Sequence, residues 1–279
     1  MEECKLAFQL HTMRLALFTL LFSLAGHVSG QHPLCMGEVH ALHSAILAEE
    51  RILNIVLPPG YAANDTARYP VIFLLDGSAD EDFMHVAGAL QFATMDWIAW
   101  QQPSILVGIA NTDRKRDLTF PTSIAKDKEQ FPTTGGSADF RRFLGQELIP
   151  FVDDHFRTRP DRLLIGQSLG GLLAAEVLLV QPALFQRYLI VSPSLWWDNG
   201  SLLERSAGSL WKPGTAPAQV FIAVGREGRE MVRYAKQLHA LVARSKATRT
   251  KFQYLHDFNH ANILHQAVMD GFRWMGTSP

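Results

Sequence analysis

Residues 162–179 read RLLIGQSLGGLLAAEVLL, and the rest of the chain is best understood from this stretch. An apolar run ends at Ile165, a serine follows between Gly166 and Gly170, and a helix-like apolar stretch comes directly after. Strand, tight turn and helix in this order form the G-x-S-x-G nucleophile elbow. Glycine is required beside the serine because a side chain there would collide across the turn. The pattern therefore predicts a nucleophile at Ser168.

A phosphate-binding turn is a different interpretation of the same glycines. The phosphate loop needs a lysine after its glycines, and the dinucleotide fingerprint needs the full G-x-G-x-x-G spacing. The stretch at 166–171 has neither. The remaining alternative is a glycine-rich strand-to-helix turn with an incidental serine.

The composition is that of a globular protein. The 279 residues include 26 Lys and Arg against 27 Asp and Glu, and 47% of the residues are hydrophobic. This excludes a disordered polyelectrolyte, and the near-neutral balance predicts no nucleic-acid partner. Residues 31–279 suit a single α/β domain with one large core.

The N-terminal segment has the pattern of a secretory signal peptide over residues 1–30. An apolar run at 15–24 follows a basic residue, and small residues at 28–30 precede Gln31. Glu2 and Glu3 are not expected in the positively charged region that begins a signal peptide, so Met13 is an alternative translation start. We expect an exported protein, periplasmic or secreted. The alternative is an uncleaved signal anchor, which would be the chain's contact with a membrane.

Apolar runs alternate with helical patterns through the rest of the chain. The predicted strands lie at 51–57, 71–75, 105–110, 162–165, 188–191, 219–224 and 251–255, with helical spacing at 83–100, 138–154, 231–242 and 263–274. The first strand is typical of an antiparallel one. The repeated units predict an α/β fold with a mostly parallel central sheet and helices on both faces. Ligands of such sheets bind beyond the carboxyl ends of the strands.

A serine hydroxyl needs a base to take its proton. In hydrolases with this elbow, the histidine follows the last strand. Three histidines follow residues 251–255: His256, His260 and His265. His256 is too close to the strand end and His265 falls within a helical pattern, so His260 is the predicted base. A metal site is not expected, because no further ligand cluster accompanies these histidines.

The third member of a catalytic triad is a carboxylate that orients the histidine. It should follow the strand that ends near Gly225, and Glu227 and Glu230 both do. Glu227 comes sooner, whereas an acidic residue at Glu230 has a simple explanation in the helix dipole. We expect Glu227, with a Ser-His dyad as the alternative.

An oxyanion hole needs two backbone N–H donors. The residue after the nucleophile supplies one, which here is Leu169. The turn after the strand at 71–75 supplies the other, and Ser78 is the expected donor, with Gly77 as the runner-up.

Longer motifs resemble those of a known family. They are YPVIFLLDG at 69–77, NTDRKRDLT at 111–119, ELIP at 147–150 and SPSLWWD at 192–198. Together with the elbow they resemble the Putative esterase (esterase D-like) family of α/β-hydrolases, and in particular its ferric-siderophore (trilactone) esterase branch. The resemblance spans about residues 52–274.

The resemblance implies the α/β-hydrolase fold and a serine esterase with Ser168 and His260 as its catalytic residues. It also implies that Arg114 and Arg116 bind an anionic or catecholate-bearing substrate through charge-assisted hydrogen bonds. Trp197 is a candidate wall of the acyl pocket, although a large aromatic near a strand end is as often part of the core.

We therefore expect a serine carboxylic-ester hydrolase that forms an acyl-enzyme on Ser168 with a small-molecule ester, siderophore-like or otherwise acidic or aromatic. This chemistry requires neither a metal nor an organic cofactor. The alternatives are an acyltransferase on the same fold and a catalytically silent binding protein.

Overall fold

The buried apolar runs pair into one mixed sheet. A computed structural model describes residues 34–61, 66–206, 208, 211 and 214–276. The strands are β1 (Glu38–Ser44), β2 (Glu49–Val56), β3 (Tyr69–Leu74), β4 (Ile105–Ile109), β5 (Thr158–Gln167), β6 (Arg187–Val191), β7 (Gln219–Gly225) and β8 (Arg249–Leu255). Their order across the sheet is β1-β2-β4-β3-β5-β6-β7-β8. Strand β2 runs antiparallel to both of its neighbours, and the other neighbouring strands are parallel.

Helices lie on both faces of this sheet. They are α1 (Phe83–Ala93), α2 (Arg114–Leu118), α3 (Ala125–Gln130), α4 (Ser137–Phe143), α5 (Ile149–His155), α6 (Leu169–Val180), α7 (Ser201–Ser206), α8 (Gly228–Val242) and α9 (Ile263–Gly276). Helices α1 and α9 bury their apolar faces against one side of the sheet, and α4, α5, α6 and α8 cover the other. This is the predicted α/β-hydrolase fold, with a mostly parallel sheet between two layers of helices.

The core follows from the twofold alternation of side chains along each strand. In β3, Val71 and Phe73 pack on the side of α6, whereas Ile72 and Leu74 pack on the side of α1. All four are buried. Parallel strands covered on both faces are expected to consist of continuous apolar runs, and β3 and β4 have such sequences. Each such side chain contributes about 1.5–3 kcal/mol to folding.

Some predicted boundaries differ from the structure. The helix expected over 83–100 ends at Ala93, and turns follow it. The helix expected over 138–154 is divided into α4 and α5 by a π-helical turn at Leu144–Leu148. Strand β1 was not predicted, because most of its side chains are exposed and give no apolar alternation.

The predicted signal peptide at 1–30 and the alternative start at Met13 lie outside the described residues. In the described part of the chain, no helix combines the length and the apolar character needed to cross a bilayer.

The turn between β5 and α6 has the conformation that the elbow requires. Ser168 has φ 59° and ψ −118°, in a region that residues with a side chain rarely adopt. A Cβ atom on Gly166 would lie 2.4 Å from the carbonyl oxygen of Gly170. The backbone N–H of Ser168 donates to the carbonyl of Val191, which ties the turn to β6. The strained serine is therefore fixed by the backbone packed around it.

The close approach at Gly166 leads to a stability prediction. Gly166→Ala should lower the free energy of unfolding by about 2–3 kcal/mol, because the new methyl group overlaps backbone that cannot give way. Urea unfolding measures the change.

Gly88→Ala is the matched control, because Gly88 lies inside α1 and a Cβ atom there meets no atom within 4 Å. It should be neutral or gain about 0.5–1 kcal/mol. A Gly166→Ala protein as stable as the parent would contradict the elbow packing described above.

Candidate active site

Ser168, His260 and Glu227 form a continuous chain of hydrogen bonds at the carboxyl edge of the sheet. The Ser168 Oγ lies 3.0 Å from His260 Nε2, and His260 Nδ1 lies 2.7 Å from Glu227 Oε2. Each residue follows a strand: Ser168 comes after β5, Glu227 after β7, and His260 after β8. Because these strands are parallel, their ends meet at one edge, which brings residues 92 positions apart into contact.

Glu227 is held as an ionised, oriented carboxylate. Its Oε1 accepts hydrogen bonds from the Ser192 hydroxyl at 2.5 Å and from the Gly225 N–H at 3.0 Å. Burial would raise the pKa of Glu227, but the hydrogen bonds from His260, Ser192 and Gly225 outweigh it, and the pKa lies below its ordinary value. An ionised Glu227 requires the proton of His260 to be on Nδ1, which leaves Nε2 free to accept the Ser168 hydroxyl proton.

The loop that presents His260 is tied to the elbow. The Gln167 side-chain amide donates to the His260 carbonyl at 2.6 Å. His260 therefore has a backbone anchor beside Ser168, while its ring remains 46% exposed at the site. The sequence singled out neither Gln167 nor Ser192 as a site residue. Ser192 is the first residue of the motif at 192–198, and this membership was the one feature of the sequence that could have marked Ser192 as a site residue.

The alternative candidates for the base and the acid have other partners. The His256 ring pairs with Asp257 at 3.0 Å, and both side chains are largely exposed. His265 contacts His85 at 2.8 Å. Glu230 is exposed in the first turn of α8 and lies 3.7 Å from Arg233. Neither of the alternative histidines, nor Glu230, joins the chain of hydrogen bonds that starts at Ser168.

One expected oxyanion donor, Leu169, directly follows Ser168 in the chain. Leu169 is the first residue of α6, where the N–H has no preceding helical carbonyl to pair with. The Ser78 N–H lies 3.4 Å from a Glu81 carboxylate oxygen, at the limit of a hydrogen bond. The Gly77 N–H is already used, because it donates to the Ile109 carbonyl at 2.9 Å. The geometry thus favours Ser78 over Gly77 as the second donor.

A cavity of about 410 Å³ opens over Ser168 and His260, and Arg114 lines it. The Arg114 guanidinium binds Asp76 through two parallel hydrogen bonds of 2.6 and 2.8 Å. Asp76 is buried and packs against the elbow at Gly170, where a Cβ atom would lie 3.0 Å from its Oδ2. Arg114 therefore has a structural partner, and it can offer only its remaining N–H groups to a ligand.

Arg116 and Trp197 are not brought to this cavity. Arg116 pairs with Glu49 at 2.6 Å and with Asp117 at 2.7 Å, in an ion cluster that includes the buried Arg51. Trp197 is fully buried, and its Nε1–H donates to the Phe120 carbonyl at 2.8 Å. The structure therefore places neither side chain at this cavity, and the polar groups of both have partners within the protein.

The cavity is acidic. Asp76, Glu81 and Asp82 line it, against the single guanidinium of Arg114. Burial raises the pKa of Asp82 to about 6, and the neighbouring charges of Asp76 and Glu81 add to the rise, while His85 and Arg114 oppose it. In the described residues, no group of three or more His, Cys, Asp or Glu side chains is arranged to hold a metal ion.

A serine elbow at the carboxyl edge of this strand order defines the class of α/β-hydrolases. The family model described as "Putative esterase" matches residues 44–261, and the chain belongs to this family of carboxylic ester hydrolases.

The chain is also similar to individual proteins. The chain is 31% identical to ferri-bacillibactin esterase BesA of Bacillus subtilis (strain 168) over 192 residues. The match covers 63% of this chain and 66% of BesA, just under two thirds of that protein. An IroE-like serine hydrolase from Shewanella oneidensis superimposes with a TM-score of 0.76 at 30% identity, covering 86% of this chain and 79% of the other. The BES protein from Bacillus cereus superimposes with a TM-score of 0.78 at 28% identity, and the match covers 91% of this chain and 100% of the BES protein.

The raised pKa of Asp82 predicts a pH-dependent gain from Asp82→Asn. A carboxyl whose pKa is higher in the folded protein stabilises the fold only while it is protonated, and this stability is lost as pH rises through about 6. Asp82→Asn should therefore stabilise the protein more at pH 8 than at pH 4.5. After allowance for solvent screening, we expect a difference on the order of 1 kcal/mol.

Urea unfolding at the two pH values measures this difference. Asp80→Asn removes an exposed carboxylate from the same turn and serves as the control. If Asp80→Asn gives the same pH profile, the cause is a general reduction of charge and not the burial of Asp82.

Proposed function

We propose that the protein hydrolyses a carboxylic ester through an acyl-enzyme on Ser168. The Ser168 Oγ attacks the ester carbonyl carbon while its proton passes to His260 Nε2. Glu227 stabilises the resulting imidazolium from the Nδ1 side. The N–H groups of Leu169 and Ser78 stabilise the oxyanion.

The remaining steps return the protons. The tetrahedral intermediate collapses, the bond to the leaving oxygen breaks, and His260 gives its proton to the departing alcohol. Water then attacks the acyl carbonyl, with His260 again as base, and the acid is released with Ser168 restored. Atoms and charges balance without a redox partner.

The observation behind this proposal is the unbroken chain of hydrogen bonds from Glu227 through His260 to Ser168. A surface histidine near a serine is common by chance. Here the serine also has a strained backbone that exposes its hydroxyl, and the carboxylate is oriented by Ser192 and Gly225. Nothing in ordinary folding requires these three features together, whereas acyl transfer uses all of them.

For the substrate we propose a siderophore-like or other acidic or aromatic ester. The support comes from the related ferri-bacillibactin esterase, which is named for an iron-siderophore substrate. Of the two predicted substrate contacts Arg114 and Arg116, Arg114 is the one that lines the cavity and can contact such a substrate.

The mechanism predicts graded losses of activity on 4-nitrophenyl butyrate. Ser168→Ala should show no turnover above background. Glu227→Gln should lower kcat about 10²- to 10⁴-fold, because a neutral amide neither fixes the imidazole tautomer nor stabilises its cation. Steady-state kinetics measure both, with circular dichroism as the check on folding.

Glu230→Gln is the matched control, since it makes the same chemical change three residues further along the chain on an exposed side chain. It should retain the parent's kcat. A Glu227→Gln protein within about threefold of the parent would instead support a Ser-His dyad, and an active Ser168→Ala protein would rule the mechanism out.

We also propose that the protein is exported, from the signal-like pattern of residues 1–30. Expression of the full chain in a bacterial host should yield a periplasmic or secreted form whose N-terminus is at or near Gln31. Mass spectrometry of the N-terminal peptide measures this. An intact N-terminus on membrane-bound protein would show the anchor instead.

A further inference from the structure

A second and larger groove lies beside the candidate active site, between α8 and β8. Its volume is about 940 Å³, within the range of sites that hold small organic ligands. Its rim and floor include Arg226, Arg229, Arg233, Lys236, Phe252 and Tyr254. None of these residues has a role in the mechanism above.

The groove exists because β8 is the last strand of the sheet. Among the residues that the structure describes, no further strand pairs beyond it. Phe252 and Tyr254 are two residues apart, so they point to the same face of β8, the face that α8 covers only in part. Phe252 is half-buried and Tyr254 is 44% exposed. The floor therefore offers aromatic surface on which a flat or apolar group can pack.

The rim is strongly basic. Arg229, Arg233 and Lys236 follow one another in α8 at steps of four and three residues, which places them on one side of the helix, and Arg226 lies just before the helix begins. All four are exposed. Arg233 has Glu230 at 3.7 Å, a long and exposed pair, and no carboxylate is among the described residues that line the groove. Four like charges along one groove repel each other, and an anion in the groove would relieve this repulsion.

The charge of the catalytic cavity is the opposite. Three carboxyl groups line it, and its one guanidinium, Arg114, is paired with Asp76, so the acidic part of an anionic ester is less favoured there than in the groove. The groove begins close to Glu227, the hydrogen-bond partner of His260, because Arg226 and Gly228 flank Glu227 in the chain and line the groove. The Arg226 N–H also donates to the Phe258 carbonyl, two residues before His260.

We propose that the groove between α8 and β8 binds an amphiphilic organic anion, with the acid group on the basic rim and the apolar or aromatic part on Phe252 and Tyr254. In the proposed reaction it holds the remote acidic arm of an ester whose carbonyl lies at Ser168. This second statement rests on the proposed function, whereas the binding itself does not.

Binding is tested with a probe that cannot be turned over. The Ser168→Ala protein is titrated with 1-naphthoate by isothermal calorimetry, and its neutral analogue 1-naphthamide is titrated in parallel. We expect 1-naphthoate to bind at least tenfold more tightly than 1-naphthamide. Arg229→Glu with Lys236→Glu, both exposed positions, should weaken 1-naphthoate at least tenfold.

The control is Lys126→Glu with Lys128→Glu, which reverses two exposed lysines on α3 and changes the net charge equally. It should leave the affinity for 1-naphthoate within twofold. Equal affinity for the acid and the amide, undetectable binding of 1-naphthoate, or an equal loss in both double variants would overturn the proposed site.

The substrate role is tested with two esters that share a leaving group, anionic 4-nitrophenyl hydrogen suberate and neutral 4-nitrophenyl octanoate. In the groove double variant, KM for the suberate should rise about tenfold relative to KM for the octanoate. An unchanged ratio would overturn the role in substrate binding. If the parent hydrolyses neither ester, the proposed function fails, while the calorimetric result on the groove still stands.

Discussion

The backbone turn at Ser168 is the constraint on which the rest of the site depends. Its positive φ exposes the hydroxyl above the carboxyl edge of the sheet. Gly166 lets β5 approach α6 closely, and Gly170 lets α6 approach Leu75 and Asp76 at the end of β3. The hydrogen bond from Ser168 to Val191 fixes the turn against β6. The strain of this conformation, on the order of 1–3 kcal/mol, is offset by the buried strands and helices on either side.

The parallel sheet does the remaining positioning. Because β5, β7 and β8 end at the same edge, Glu227 and His260 need only short loops to reach Ser168. Near this edge of the sheet lie two sites of opposite charge. The cavity over Ser168 is acidic, and the groove beside α8 is basic. An anionic ester would be oriented by this contrast as well as by direct contacts, with its acidic arm directed away from the reacting carbonyl.

The sequence predicted the features that depend on local pattern and strand order. The elbow, the mostly parallel sheet, and the meeting of Ser168, His260 and Glu227 follow from glycine spacing and from apolar runs of strand length. It did not predict the features that depend on tertiary contacts. Arg116 forms ion pairs with Glu49 and Asp117, and Trp197 is buried in the core. The residues next to Arg116 and Trp197 in the sequence indicate neither the ion pair with Glu49 nor the burial of Trp197. Ser192 and Gln167 were missed for the same reason, since their partners are 35 and 93 residues away.

The most direct test of the account is the site of covalent trapping. The protein is incubated with a fluorophosphonate, and the labelled peptide is sequenced by tandem mass spectrometry. We predict one equivalent of label per chain, located on Ser168, because the proposed mechanism activates this hydroxyl through the hydrogen-bonded pair of His260 and Glu227. The absence of label from the folded protein, or a label on another residue, would contradict the account.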